Sequence, residues 1–167
     1  MIAYDRSDCP INLTTELLGD RWSLIVSRDI MFADRRRFRV LLQNSEEKIA
    51  SNTLAARLRN LVEGGLLSTT EDATHKQKIV YSLTEPAIEL LPTMISIGSW
   101  GNKHLPASSI TGPFFPFLRD QGPKVWQELA DDLRHRHLGG PAPKSSAATM
   151  KSMVASYSRT LKAATER

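Results

Sequence analysis

Hydrophobic spacing divides the chain into short helices, one hairpin and a second group of helices. Pro10 to Leu18 carries Leu13, Leu17 and Leu18 at helical spacing, with proline at its start and Gly19 after its end. From Arg21 to Phe32 the apolar residues Trp22, Leu24, Ile25, Val26, Ile30, Met31 and Phe32 cover most of a helix circumference, the pattern of a buried central helix. Phe38 to Gln43 predicts a short helix and Asn44 to Lys48 a turn. Ser51 is the expected cap of a further helix that stops at Gly64-Gly65. Two strands are predicted next, Leu66 to Thr70 and Ile79 to Leu83, around the turn Ala73-Thr74-His75-Lys76-Gln77-Lys78. In the second, Ile79, Tyr81 and Leu83 alternate with Val80 and Ser82, the period of a half-buried strand.

Thr84 is the expected cap of a long helix running to about His104, kinked at Pro92. At about 100° per residue its apolar positions form two stripes. Ile88, Leu91 and Ile95 lie together, and Leu90, Met94, Ile97 and Gly101 lie elsewhere. One stripe serves the domain's own core, and the other needs a second surface, most economically a partner subunit. Pro106 to Pro116, with Phe114, Phe115 and Phe117 nearby, reads as an ordered connector. Pro123 to Leu138 and Met150 to Ala164 read as amphipathic helices joined by a flexible linker near residues 139–147. The expected organisation is one domain over residues 1–105 and a helical extension over 106–167.

Composition narrows the function classes. The apolar share of 41% supports a core, and the net charge of +4 suits an anionic partner without requiring one. Clustering says more: the run Arg35-Arg36-Arg37-Phe38-Arg39 is almost wholly basic. The single cysteine, Cys9, excludes an intrachain disulfide and a cysteine-built zinc site. No apolar run approaches the roughly 20 residues needed to span a bilayer, and the start does not look like a signal peptide. A soluble, cytoplasmic protein with no membrane partner is expected.

Helix, helix, hairpin in this order is the pattern of a winged helix-turn-helix, in which one helix enters the major groove of DNA and a β-wing lies beside it. The expected fold is mainly α with a small β-hairpin: such a domain, followed by the helical extension. On the helix beginning at Ser51, leucines 54, 58 and 61 centre on one face. Asn52, Ala56, Arg59, Asn60 and Glu63 take the opposite face, with Thr53 at its margin. Asn and Arg pair in bidentate fashion with adenine and guanine edges, and a small residue such as Ala56 permits close approach. Arg57, nearer the core flank, is placed to reach a phosphate or brace the turn. Arg35, Arg36 and Arg37 stand where phosphate contacts set register. His75, Lys76 and Lys78 make a basic wing aimed at the backbone or minor groove. Singly, a polar helix face or an arginine run is only a solvated surface; the order of the three elements raises the DNA reading above that.

The chain resembles the HxlR-type transcriptional regulators, a winged-helix branch near the MarR group. The residues that carry the resemblance include Cys9-Pro10, Gly19-Asp20-Arg21-Trp22, Arg37-Phe38, Ile49 with Leu54, and Arg57-Leu58. They continue through Leu61, Gly65-Leu66, Tyr81-Ser82-Leu83-Thr84, Leu91-Pro92 and Trp100-Gly101, covering roughly residues 9–104. The resemblance implies a bacterial homodimer that binds palindromic operators, dimerising through the first and last helices of the domain. It departs from the family at Lys76-Gln77-Lys78, where a proline-containing wing is common, and at Ala87, where glycine is usual. In some such regulators an N-terminal cysteine senses oxidants or electrophiles. Cys9 stands at that position ahead of a helix N-terminus, which stabilises a thiolate; the alternative is a small buried hydrophobe.

Enzymatic groupings are lacking. His135 and His137 point to different helix faces, His75 and His104 have no sequence partner, and no nucleophile triad, phosphate loop or dinucleotide fingerprint is present. No cofactor or metal is expected. Trp22 and Trp100 could line a small-molecule effector pocket at a dimer interface, or could be core. The reading from another class is a winged-helix protein-interaction module with only non-specific DNA affinity.

Overall fold

The computed structural model describes residues 7–72, 75–109, 111–143 and 149–165, with side chains undescribed at 72, 75–78, 150 and 160–165. The chain divides into two compact units, residues 1–87 and 88–167. The expected boundary near Leu105 falls within the second unit.

The first unit begins with α1 (Pro10–Leu18) and α2 (Ser23–Ala33). The apolar circumference of α2 is not buried evenly. Val26, Ile30 and Met31 are buried together with the small or paired polar residues Ser23, Ser27 and Asp29, while Leu24, Ile25 and Phe32 are half-buried. Helix α3 (Phe38–Gln43) and a turn lead into α4 (Ser51–Glu63). Ala50, not Ser51, is the cap residue of α4; Ser51 is its first helical residue. The burial of α4 follows its sequence period: Leu54, Leu58 and Leu61 are buried, and Asn52, Arg59, Asn60 and Glu63 are exposed.

Strands β1 (Leu67–Asp72) and β2 (His75–Leu83) form an antiparallel hairpin, with Leu67 opposite Leu83 and Thr69 opposite Tyr81. Gly65 turns the chain from α4 into β1 at φ 74°, a left-handed conformation that favours glycine. Two expectations change here. The hairpin is longer than predicted, because His75 to Lys78 continue β2 instead of forming the turn. A ladder needs backbone donors and acceptors, not apolar alternation, so a polar strand leaves little sequence signal. Nor does β2 keep a buried and an open face: Ile79 is 49% exposed, while Ser82 and Leu83 are both buried. The outer edge of β2 is also occupied, since Tyr81 N–H donates to the Arg36 carbonyl (2.8 Å) and Arg37 bridges Val80. This third segment covers Ser82 from its other side.

The predicted helix from Thr84 to His104 is two helices, α5 (Glu85–Glu89) and α6 (Leu91–His104). Pro92 occupies the first turn of α6, where its missing N–H costs nothing, so the chain breaks and restarts there instead of kinking. Thr84, expected to cap the helix, donates its hydroxyl to the Gly65 carbonyl (2.6 Å).

In the second unit, α7 (Phe114–Asp120) takes residues expected in a connector, and α8 (Gly122–Leu138) and α9 (Met150–Thr165) follow. Gly98 on α6 makes α7 possible. A Cβ there would lie 2.2 Å from the Phe115 ring, so the absent side chain admits the aromatic. Trp126 Nε1–H donates to the Leu118 carbonyl (2.7 Å), and Leu118, Leu129 and Leu133 are buried. Tyr157 of α9 lies against Phe114 and Phe117, with ring centroids 5.3 Å and 5.7 Å away. The terminal amphipathic helix thus docks on α7. Part of the expected linker, residues 144–148, lies outside the described residues. Among the described residues, no helix is long and apolar enough to cross a membrane.

Candidate nucleic-acid interface

Two carboxylates of the first unit fix the frame on which α4 sits. Asp29, 5% exposed on α2, accepts from Arg28 Nε (3.0 Å) and Nη2 (2.8 Å) on one oxygen and from Arg35 Nη1 (3.0 Å) on the other. Arg28 also forks onto Glu47, with Nη1–Oε1 at 2.7 Å and Nη2–Oε2 at 3.1 Å. Arg35 donates to the Asn44 carbonyl at 2.6 Å. Both ends of the turn between α3 and α4 are therefore tied to α2. Burial works against the charge of Arg28, but Glu47 and Asp29 outweigh it and raise its pKa; the Arg28 guanidinium in turn holds Glu47 below the usual carboxylate range.

Asp20 is the second anchor. It accepts the Trp22 N–H (2.8 Å), the Ser23 N–H (3.1 Å) and the Ser23 hydroxyl, which satisfies the open start of α2. Its other contact is Arg57 Nη1 on α4, at 3.1 Å. Burial tends to raise the pKa of Asp20, but the Ser23 hydroxyl, the Trp22 and Ser23 N–H groups and Arg57 together lower it.

These contacts sort the residues expected to touch DNA. Arg35 and Arg57 are held by Asp29 and Asp20. Arg36 donates to the Tyr81 carbonyl (3.2 Å) and to the Ser82 hydroxyl, joining the start of α3 to the wing. Arg37 is exposed beside it. On α4, Ser51, Asn52, Arg59 and Asn60 are exposed, and Thr53 and Ala56 half-buried. Arg59 makes no ion pair or hydrogen bond among the described residues. The Asn52 side-chain oxygen accepts the Thr53 N–H (2.8 Å). The side chains of His75, Lys76 and Lys78 lie outside the described residues.

Sequence reasoning passed over three contributors. Arg39, exposed on α3, extends the basic run in the same way as Arg37, and the run itself was the available signal. Asp20 and Asp29 were not singled out as anchors. An Asp three residues before a helix core is a capping signal that could have identified Asp20, but the pairing of Asp29 with Arg35 leaves no local pattern.

Cys9 is a free, exposed thiol at the cap position of α1. The Asn12 and Ile11 N–H groups face it and lower its pKa. In the second unit, α6 exposes Ile97 (47%) and Trp100 (59%), and Trp100 stacks on His104 with ring centroids 5.2 Å apart. Of the four positions expected at a dimer interface, Ile97 is exposed, Leu90 and Gly101 are half-buried, and Met94 is buried within the chain. Trp22 is half-buried.

Comparisons with known proteins agree on the class. The family model described as HxlR-like helix-turn-helix matches residues 17–109. An uncharacterised HTH-type transcriptional regulator of Mycobacterium tuberculosis is 36% identical over 124 residues, 74% of this chain and 65% of its own length. One from Synechocystis is 29% identical over 101 residues, 60% of this chain and 73% of its own. The aligned region thus spans 65% of the mycobacterial relative. Among solved structures, one described as a transcription factor is 34% identical, covering 62% of this chain and 70% of its own at a TM-score of 0.55. The redox regulator HypR in its oxidized form is 25% identical, covering 59% of this chain and 100% of its own at a TM-score of 0.51.

Proposed function

Since this chain belongs to the HxlR-like helix-turn-helix family, we propose that it is a bacterial transcriptional regulator that binds palindromic operator DNA as a homodimer. The observation that carries this reading is the outer face of α4. Asn52, Arg59 and Asn60 are exposed there around the small Ala56, on a helix whose other face is locked into the core. In this reading Arg59 and the two asparagines address base edges in the major groove, and Ser51 and Thr53 support them at the helix start. Arg37 and Arg39 contact phosphates, with Arg35, Arg36 and Arg57 adding charge from positions fixed by the fold. His75, Lys76 and Lys78 act from the wing.

The apolar residues Ile97 and Trp100 that α6 leaves exposed support a second copy as partner, with Leu90 and Gly101 beside them. A dimer would set its two reading helices about 34 Å apart, one turn of B-DNA. The exposed, activated thiol of Cys9 supports response to an oxidant or electrophile: oxidation near a dimer interface reorients the paired reading helices. HypR, crystallised in its oxidized form, is compatible with that role. Nothing in the site calls for catalysis.

The test is fluorescence anisotropy of the full chain on duplexes tiling its gene's upstream region, with random DNA as competitor, before and after a mild thiol oxidant. Tight, palindrome-dependent binding lost on oxidation supports both parts of the reading. Binding indifferent to oxidation removes the sensor and keeps the regulator. Binding with no preference over random DNA removes the regulator and favours a protein-interaction module.

A further inference from the structure

A hollow of about 390 Å³ lies between α4 and the hairpin, wholly within the first unit. Its apolar lining comes from three elements: Leu58 and Val62 of α4, Phe38 at the start of α3, and Tyr81 of β2. Ala55, one turn before Arg59, contributes only a methyl group, and this small side chain keeps the space open. The volume is at the low end for small-molecule sites, about 300–1,000 Å³, so it suits a molecule of one or two rings. Phe38 and Tyr81 offer aromatic surface to a flat ligand.

The charges at the edge specify the ligand further. Arg59 and Glu63 both line the hollow, four residues apart on α4, where an ion pair would be ordinary. Neither makes an ion pair or hydrogen bond among the described residues. An apolar hollow bordered by one unengaged guanidinium and one unengaged carboxylate matches a ligand that presents an anion to the first and an N–H or O–H donor to the second. Burial raises the pKa of Tyr81, which keeps its phenol neutral beside such an anion.

We propose that this hollow binds a planar aromatic acid carrying a hydrogen-bond donor, and that the bound acid engages Arg59 and so weakens DNA binding. The first half stands on the hollow alone. The second rests on the reading of α4 as the DNA-facing helix. A ligand that engages Arg59 competes with the base edge for the same guanidinium, and by linkage DNA weakens the ligand by the same factor.

Indole-3-acetate is a suitable probe, with neutral indole-3-acetamide as control, titrated calorimetrically into the full-length protein without DNA. The acid is expected to bind with a dissociation constant of about 1 mM or below, as its size allows. The amide should bind about tenfold more weakly, having lost the charge-assisted contact. Two substitutions fill the hollow from opposite sides: Ala55→Phe from the helix and Thr69→Trp from an exposed strand position. Each should abolish binding, and the strand variant decides the matter if the helix variant fails to fold. Equal affinity for acid and amide, or binding that survives Thr69→Trp, overturns the site. With the site established, saturating acid should lower operator affinity at least about fivefold. Unchanged operator affinity overturns the competition for Arg59. Should no operator preference exist at all, the reading of α4 fails while the calorimetry still decides the site.

Discussion

On the inner side of α4, Arg57 holds Asp20 at 3.1 Å and ties the helix to the start of α2. Two residues further along, Arg59 faces outward with no partner among the described residues. The same contrast runs through the first unit. Arg28 and Arg35 brace the turn before α4 through Asp29 and Glu47, and Arg36 joins α3 to the wing. Arg37, Arg39 and Arg59 remain on the surface. An arginine with a carboxylate to hold confers geometry, and one without is available to an incoming polyanion. The basic total of the chain matters less to the DNA reading than which guanidinium groups the fold has already engaged.

The contrast can be broken most severely from the inside. Leu54→Ala removes a fully buried side chain from the inner face of α4 and should cost about 3 kcal/mol. Denaturant unfolding measures it, and a loss below about 1 kcal/mol would mean that α4 is not anchored as described. Asp29→Ala leaves two arginines without their shared acceptor and should destabilise by about 2 kcal/mol in the same assay, the cost of broken hydrogen bonds to a charged group. Arg59→Ala and Asn60→Ala, on the outer face, should shift stability by no more than about 0.5 kcal/mol. A larger change would show that these side chains support the fold after all. The smallest effect is in acid. Asp20 and Glu47 have pKa values below those of the unfolded chain, so both stabilise the protein at neutral pH. That contribution is lost as pH falls below about 4 and through their folded values. Thermal melts between pH 3 and 7 should show the loss, and Asp20→Asn should reduce its steepness. An unchanged acid limb in that variant would remove Asp20 from the account.

What the sequence revealed of this contrast follows from range. The two faces of α4 were legible because Leu54, Leu58 and Leu61 recur at the helical period, and the hairpin because Gly64-Gly65 stops one element before strand-forming residues begin. The braces were not legible. Asp29 meets Arg35 across a helix end, Arg36 meets Ser82 from 46 residues away, and such pairs leave no periodic trace. The second unit shows the same limit. Its long helices could be read from their apolar spacing, but α7 was hidden by proline and glycine around it. Its formation depends on Gly98 admitting Phe115 and on Tyr157 meeting two phenylalanines from another helix. Pro92 was ambiguous in principle, since proline in an apolar run marks either a kink or a new first turn, and only the neighbouring backbone decides.

The most direct test compares Arg59→Ala with Arg57→Ala on the preferred operator and on random duplex, by anisotropy at fixed salt. Arg59→Ala should weaken operator binding by about 5- to 150-fold, the range for loss of one bidentate base contact, and should leave random DNA much less affected. Arg57→Ala should act through the position of α4 and lower stability as well. If Arg59→Ala weakens operator and random DNA alike, its guanidinium contacts only phosphate, and the outer face of α4 does not read bases.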